Sequence, residues 1–137
     1  MRIDRVIKKI RTSVDKGGKV MIAGNGGSAA QADHFAAELV CDGIPCISLT
    51  NPAIITAIGN DCGYKHVFEY QVAVLGNPGD IFIGLTTSGQ SANISRAQIT
   101  AIQLNMEVVF FPVGKDTQAI QERHLCLLHE IWQGLLK

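Results

Sequence analysis

Aromatic residues are scarce in this sequence, with one tryptophan, two tyrosines and five phenylalanines among 137 residues, and neither sign of charge predominates. Twelve Lys and Arg balance twelve Asp and Glu, and no basic stripe is interleaved with aromatics, so no nucleic-acid partner is expected. A net charge of zero also removes the attraction that draws basic proteins to anionic membrane surfaces. No apolar run approaches the roughly 20 residues a bilayer span needs, and residues 1–16 read as a charged amphipathic helix rather than a signal peptide. Cys41, Cys46, Cys62 and Cys126 never fall at CxxC spacing, which predicts free packing thiols in a reducing cytoplasm. The dinucleotide fingerprint GxGxxG and the P-loop GxxxxGK[ST] are both absent.

What is present is a hydrophobic content of 47%, enough for a real core in one domain spanning 1–137. Ile3, Val6, Ile7, Ile10 and Val14 recur at helical spacing with Lys and Arg opposite, and Gly17-Gly18 ends that segment. Residues 19–23 read as an apolar strand. Gly24, Gly26 and Gly27 then turn the chain sharply, and Ser28 with Gln31 matches a capping box that would start a helix at Ser28. A second strand is predicted over 44–49, and Pro52 opens a helix over 53–58 that the run Gly59-Asn60-Asp61-Cys62-Gly63 breaks. A short helix at 67–75 and a turn at 76–79 precede a strand at 80–85. Next come the hydroxyl-rich turn Thr86-Thr87-Ser88-Gly89-Gln90-Ser91, a helix over 92–104, a strand over 107–113, and a last helix capped by Asp116 or Thr117. Strands alternating with helices predict a parallel sheet.

Two turns carry the chemistry. Each follows a strand and opens a helix, the place where α/β sheets bind ligands and where leading helical amides favour anions. The hydroxyl turn can surround a phosphate with neutral donors. On the first of these helices His34 and Glu38 stand four residues apart on one face, so an imidazole and a carboxylate line one groove. Taken alone, such a pair is also what an ordinary solvated helix face carries, worth about 0.2–0.5 kcal/mol.

Three stretches together, GNGGSAAQADHFAAEL, LTTSGQSANI and DTQAIQERHLCLLH, resemble the sugar isomerase (SIS) domain of phosphoheptose isomerases, and AIGNDCGY adds to the match. The resemblance spans nearly the whole chain. It implies a three-layer, flavodoxin-like α/β fold, a parallel sheet with helices on both faces, and a homotetramer with sites between subunits. It implies conversion of sedoheptulose 7-phosphate to D-glycero-D-manno-heptose 7-phosphate, a precursor of bacterial surface heptose and lipopolysaccharide. By position, Glu38 matches the general base and His129 the partner acid. His34, Glu38, Gln121 and His129 match the zinc-holding residues of metal-bearing members. Asn25, Gly26, Gly27, Ser28, Asp61, Thr86, Thr87, Ser88, Ser91 and Gln121 match positions around the phosphosugar. The family has a further helix and strand before its last helix, whereas Gly114-Lys115-Asp116-Thr117 joins the two directly here, so four or five strands are expected.

Ketose-to-aldose isomerisation through an enediol needs a base at carbon and an acid serving the oxygens, roles that suit Glu38 and His129. The alternative within the same resemblance is a non-catalytic SIS-domain protein that binds a phosphosugar or a replication initiator. Glu38 favours the enzyme, because the initiator-binding type typically lacks that carboxylate. His66 and His124 are expected to be structural or surface residues, and Trp132 to lie in the core or an interface.

Overall fold

The computed structural model describes all 137 residues. The apolar runs form strands β1 (Val20–Gly24), β2 (Cys46–Ser48), β3 (Ile81–Leu85) and β4 (Glu107–Phe110); β1 is shifted by one residue from its expected run, and the other three are shorter than theirs. They make one parallel sheet in the order β2-β1-β3-β4. Of the four or five strands expected, four are present. β1 and β3 are central and buried along their whole length, as the two-faced burial of a parallel sheet requires.

Side-chain alternation along these strands divides the core in two. Val20 and Ile22 on β1, with Ile81, Ile83 and Leu85 on β3, face one cluster. It is completed by helices α1 (Ile3–Asp15), α2 (Gly27–Cys41) and α6 (Thr117–Leu135) through Ile10, Phe35, Leu39, Leu128 and Ile131. Met21, Ala23 and Phe82 face the other, closed by α3 (Pro52–Cys62), α4 (Glu69–Leu75) and α5 (Ala92–Gln103) with Phe68, Val72, Ile94 and Ala97. The result is the expected three-layer arrangement.

The chain leaves β1 through α2 towards β2, then returns past β1 to build β3 and β4 on its other side. That reversal makes the gap between β1 and β3 the topological switch point, the crevice where open α/β sheets hold ligands. The register places Gly24 level with Leu85, so the glycine turn and the hydroxyl turn emerge side by side.

Several local expectations need correction. The helix expected over 53–58 continues through Gly59, Asn60 and Asp61 to Cys62. Helix geometry tolerates Gly59, and the stop comes at Gly63, whose φ of +103° lies outside the range side chains favour. A single 3₁₀ turn, Tyr64–His66, follows, so the next helix begins at Glu69 rather than Val67. The strand expected to reach residue 113 stops at Phe110. From there the backbone runs to Gly114, whose N–H donates to the Thr87 carbonyl at 2.9 Å and anchors the short link into α6.

Candidate active site

Close packing explains the first glycine of the turn after β1. A Cβ on Gly24 would come within 2.7 Å of the Ser28 backbone, so any side chain would push α2 off the sheet. Gly26, with φ +57°, then leads into α2. The capping box does not form. Because α2 starts one residue early, at Gly27, Ser28 lies buried inside the first turn, and Gln31 donates to the backbone carbonyl of Gln121 at 2.9 Å instead.

Four helices start from the carboxyl ends of strands. Asn51 caps α3 by accepting from Ile54 N, and Asp116 caps α6 by accepting from Ala119 N, each at 3.1 Å. The two at the switch point, α2 and α5, have no side-chain cap. Ser28 N donates to the Asn25 carbonyl at 3.0 Å, the remaining leading amides are left to bind something else, and the helix dipole makes an anion the favoured guest.

The hydroxyls of the second turn organise that end. Thr86 Oγ1 accepts from Gly89 N at 3.1 Å and lies 3.2 Å from Ser91 Oγ, while Ser88 Oγ accepts from Gln90 N at 3.1 Å. Thr87 contributes the backbone carbonyl that holds Gly114. Asn25 and Asn93 bridge the two turns, and Tyr64 donates its hydroxyl to Asn25 Oδ1 at 2.8 Å. A cavity of about 320 Å³ opens here, lined by Asn25, Tyr64, Lys65, Ser91, Ala92 and Asn93.

The second part of the site lies along α2, where α6 packs beside it. Gln121 meets Gly27 and Gln31, His129 meets His34 and Glu38, and Trp132 donates to Asp42 Oδ2 at 2.7 Å. Both helices advance in the same sense through these contacts, so they run parallel. His34 Nε2 stands 2.9 Å from Glu38 Oε1, His129 Nε2 stands 3.4 Å from it, and the two nitrogens are 3.3 Å apart. Glu38 Oε1 is buried yet has no partner in hydrogen-bonding geometry.

An unpartnered carboxylate oxygen facing two imidazole nitrogens is a donor set suited to a cation. Zinc bonds of about 2.0–2.1 Å at tetrahedral angles place neighbouring donors about 3.3 Å apart, the scale of this triangle. His34, Glu38 and His129 thus form a group able to hold a divalent metal.

The remaining residues sort clearly. Gln121 joins the glycine end of the site, its amide nitrogen 2.7 Å from where a Cβ on Gly27 would sit. Asp61 ends up exposed in the last turn of α3, and its one side-chain hydrogen bond is with Asn60. His124 is buried against Phe111 and bonded to the Pro112 carbonyl, and His66 is paired with Glu69, so both are structural. The sequence reading assigned no site role to Asn93, Tyr64 or Lys65. The available signal was the matched placement of Asn25 and Asn93, each beside a switch-point turn. A wider cavity, about 430 Å³, lies under the amino-terminal ends of the strands near Lys8, Lys16 and Pro78, and its one carboxylate, Glu107, is paired with Lys9 at 2.8 Å.

Fold, uncapped switch-point turns and the imidazole–carboxylate group together define a sugar isomerase domain, and the SIS domain family model matches residues 1–111. The phosphoheptose isomerase of Burkholderia pseudomallei (strain 1710b) is 41% identical over 151 aligned residues, covering 93% of this chain and 77% of that protein. The chain belongs to the SIS domain family and, within it, groups with the phosphoheptose isomerases. The solved phosphoheptose isomerase of Neisseria gonorrhoeae superposes with a TM-score of 0.93 at 33% identity, covering 97% of this chain and 84% of that one. That of Francisella tularensis gives 0.89, also at 33%, covering 97% and 83%. The alignment to the Burkholderia protein is longer than this whole chain, so that relative has residues for which this chain has no counterpart. No helix here is long and apolar enough to cross a membrane.

Proposed function

We infer that the protein isomerises sedoheptulose 7-phosphate to D-glycero-D-manno-heptose 7-phosphate, serving heptose and lipopolysaccharide precursor synthesis in the cytoplasm. The observation that carries this is Glu38 Oε1, buried, without a hydrogen-bond partner and flanked by His34 and His129. A carboxylate whose oxygen is not occupied by a proton donor is free to take a proton from carbon.

In the reaction, Glu38 removes a proton from C1 of the ketose and the C–H electrons become the C1–C2 double bond of an enediol. His129 supplies a proton to the C2 oxygen as that bond forms. Return of a proton to C2, with loss of the O1 proton, yields the aldose. The phosphate is held at the other end of the chain by Ser28, Thr86, Thr87, Ser88 and Ser91 and by the uncapped amides of α2 and α5. Asn25 and Gln121 serve the sugar hydroxyls, with Asp61 a further contact. His34 lies seven residues beyond Gly27, about 10 Å along the helix axis, a separation suited to a seven-carbon substrate phosphorylated at one end and reacting at the other.

Zinc bound by His34, Glu38 and His129 would polarise the carbonyl and stabilise negative charge developing on its oxygen. The position of Gln121 at the glycine turn favours substrate contact for it over metal ligation. Assembly as a homo-oligomer, with a tetramer favoured, belongs to the same reading. Exposed Val40, Phe110 and Val113 are apolar surface that a partner subunit would cover. Light scattering should give a mass near four chains, and a monomer at micromolar concentration would exclude that assembly.

The direct test of the activity is turnover of sedoheptulose 7-phosphate with and without added zinc, together with exchange of the substrate's C1 proton with solvent deuterium. Phosphosugar binding without turnover or exchange would decide for a non-catalytic binding protein.

A further inference from the structure

We propose that Lys65 is the charge partner of the substrate's phosphate, and that this single cation makes the site select phosphorylated over neutral sugars. The proposal rests on the phosphosugar reading of the cavity. Lys65 lines the same cavity as Ser91 and Ala92, at the amino terminus of α5. It takes part in none of the protein's ion pairs, so its ammonium is not committed to a carboxylate. The other residues lining the cavity are neutral. Arg96, further along α5, does not line the cavity and is drawn towards Glu69 at 3.8 Å.

The base of Lys65 is fixed while its head is free. Tyr64, the residue before it, is tied to Asn25 through its hydroxyl, and His66, the residue after it, is paired with Glu69. The 3₁₀ turn that carries all three follows directly on Gly63, whose φ is positive, and brings Tyr64 and Lys65 to the cavity wall. A phosphate among Ser91, the leading amides of α5 and Lys65 would meet hydroxyl and amide donors on one side and an ammonium on the other. Hydroxyls and amides also hydrogen-bond neutral sugars, whereas the ammonium adds an attraction only an anion gains. In a protein whose formal net charge is zero, no general field would replace it.

The test uses the intact protein and inorganic phosphate as the probe. Isothermal titration of wild type, Lys65→Gln and Lys65→Arg should show phosphate binding weakened about tenfold in the glutamine variant, the scale of one charge-assisted hydrogen bond. Binding should be largely kept in the arginine variant. Wild-type affinity should fall with added salt more steeply than that of Lys65→Gln. In turnover, Lys65→Gln should raise KM for sedoheptulose 7-phosphate. Equal phosphate affinity in wild type and Lys65→Gln, with equal salt dependence, would overturn the proposal. If wild type turns over sedoheptulose 7-phosphate and that equality is found, the isomerase reading stands and the role of Lys65 falls. If phosphate binding depends on Lys65 but no turnover occurs, Lys65 stands and the isomerase reading falls.

Discussion

Asn25 and Asn93 hold each other by two reciprocal amide hydrogen bonds, each 3.0 Å, across the gap between the carboxyl ends of β1 and β3. They fasten the glycine turn to the start of α5, so the two halves of the proposed phosphate site are set at one spacing before any ligand arrives. Asn93 is only 4% exposed, and water has little access to replace it. Asn93→Ala removes both of these hydrogen bonds, while the half-buried Asn25 keeps its bond from Tyr64, so stability should fall by about 1–3 kcal/mol at roughly 0.5–1.5 kcal/mol for each bond lost. Chemical denaturation measures this, and an unchanged midpoint would show that the pair carries no weight.

Glu38→Gln preserves shape but removes the proposed base. Loss of a general base commonly slows catalysis 10²–10⁴-fold, so kcat should fall by about that factor while phosphosugar still binds. Zinc content must be measured in the same sample, because Glu38 also belongs to the three-donor group. Retention of solvent deuterium exchange at C1 in this variant would mean that another group takes the proton.

Ser88 and Ser91 are the hydroxyls most cleanly separated from the core. Ser88 is exposed and Ser91 half-buried, so replacing both by alanine should leave the fold intact and weaken phosphosugar binding strongly. Unchanged affinity by isothermal titration would place the phosphate elsewhere.

Cys46 gives a pH dependence with a definite sign. Burial pushes its thiol from an ordinary 9.0 up to about 12. Below pH 9 both folded and unfolded chains keep the proton and nothing is lost. Between pH 9 and about 12 the unfolded chain ionises while the native one does not, so stability falls as pH rises. Cys46→Ala should lose less stability than wild type across that window, as judged by urea midpoints below and above pH 9. Equal losses would assign the alkaline sensitivity to other groups.

The central strands were legible as short continuous apolar runs and the His34–Glu38 pair as four-residue spacing on a helix, whereas the three-layer arrangement came from the family resemblance. The meeting of His129 with that pair was not readable from spacing, since it depends on α6 lying parallel to α2, a packing that buried Leu127, Leu128 and Ile131 decide. Family resemblance alone placed His129. The capping box failed for a related reason. Ser28 and Gln31 have the right spacing, but close contact at Gly24 moves the helix start forward by one residue, and tertiary contact with Gln121 outcompetes the local bond. Asn93 escaped notice because a polar residue in a helical first turn normally faces solvent, and only the fold brings Asn25 to meet it.

The direct link from β4 to α6 has a consequence at the rim of the sheet. In a parallel sheet each strand bonds only to its spatial neighbours, so a strand added beyond β4 would create one new ladder and leave the β1–β3 ladder as it is. The same link also sets α6, so any change in its length has to keep His129 beside Glu38. The cost of the short link is a bare row of backbone N–H and C=O groups on β4, open to strand addition by another chain. Glu107, carrying charge at its first position, and Pro112, unable to donate just past its end, are the residues that blunt it.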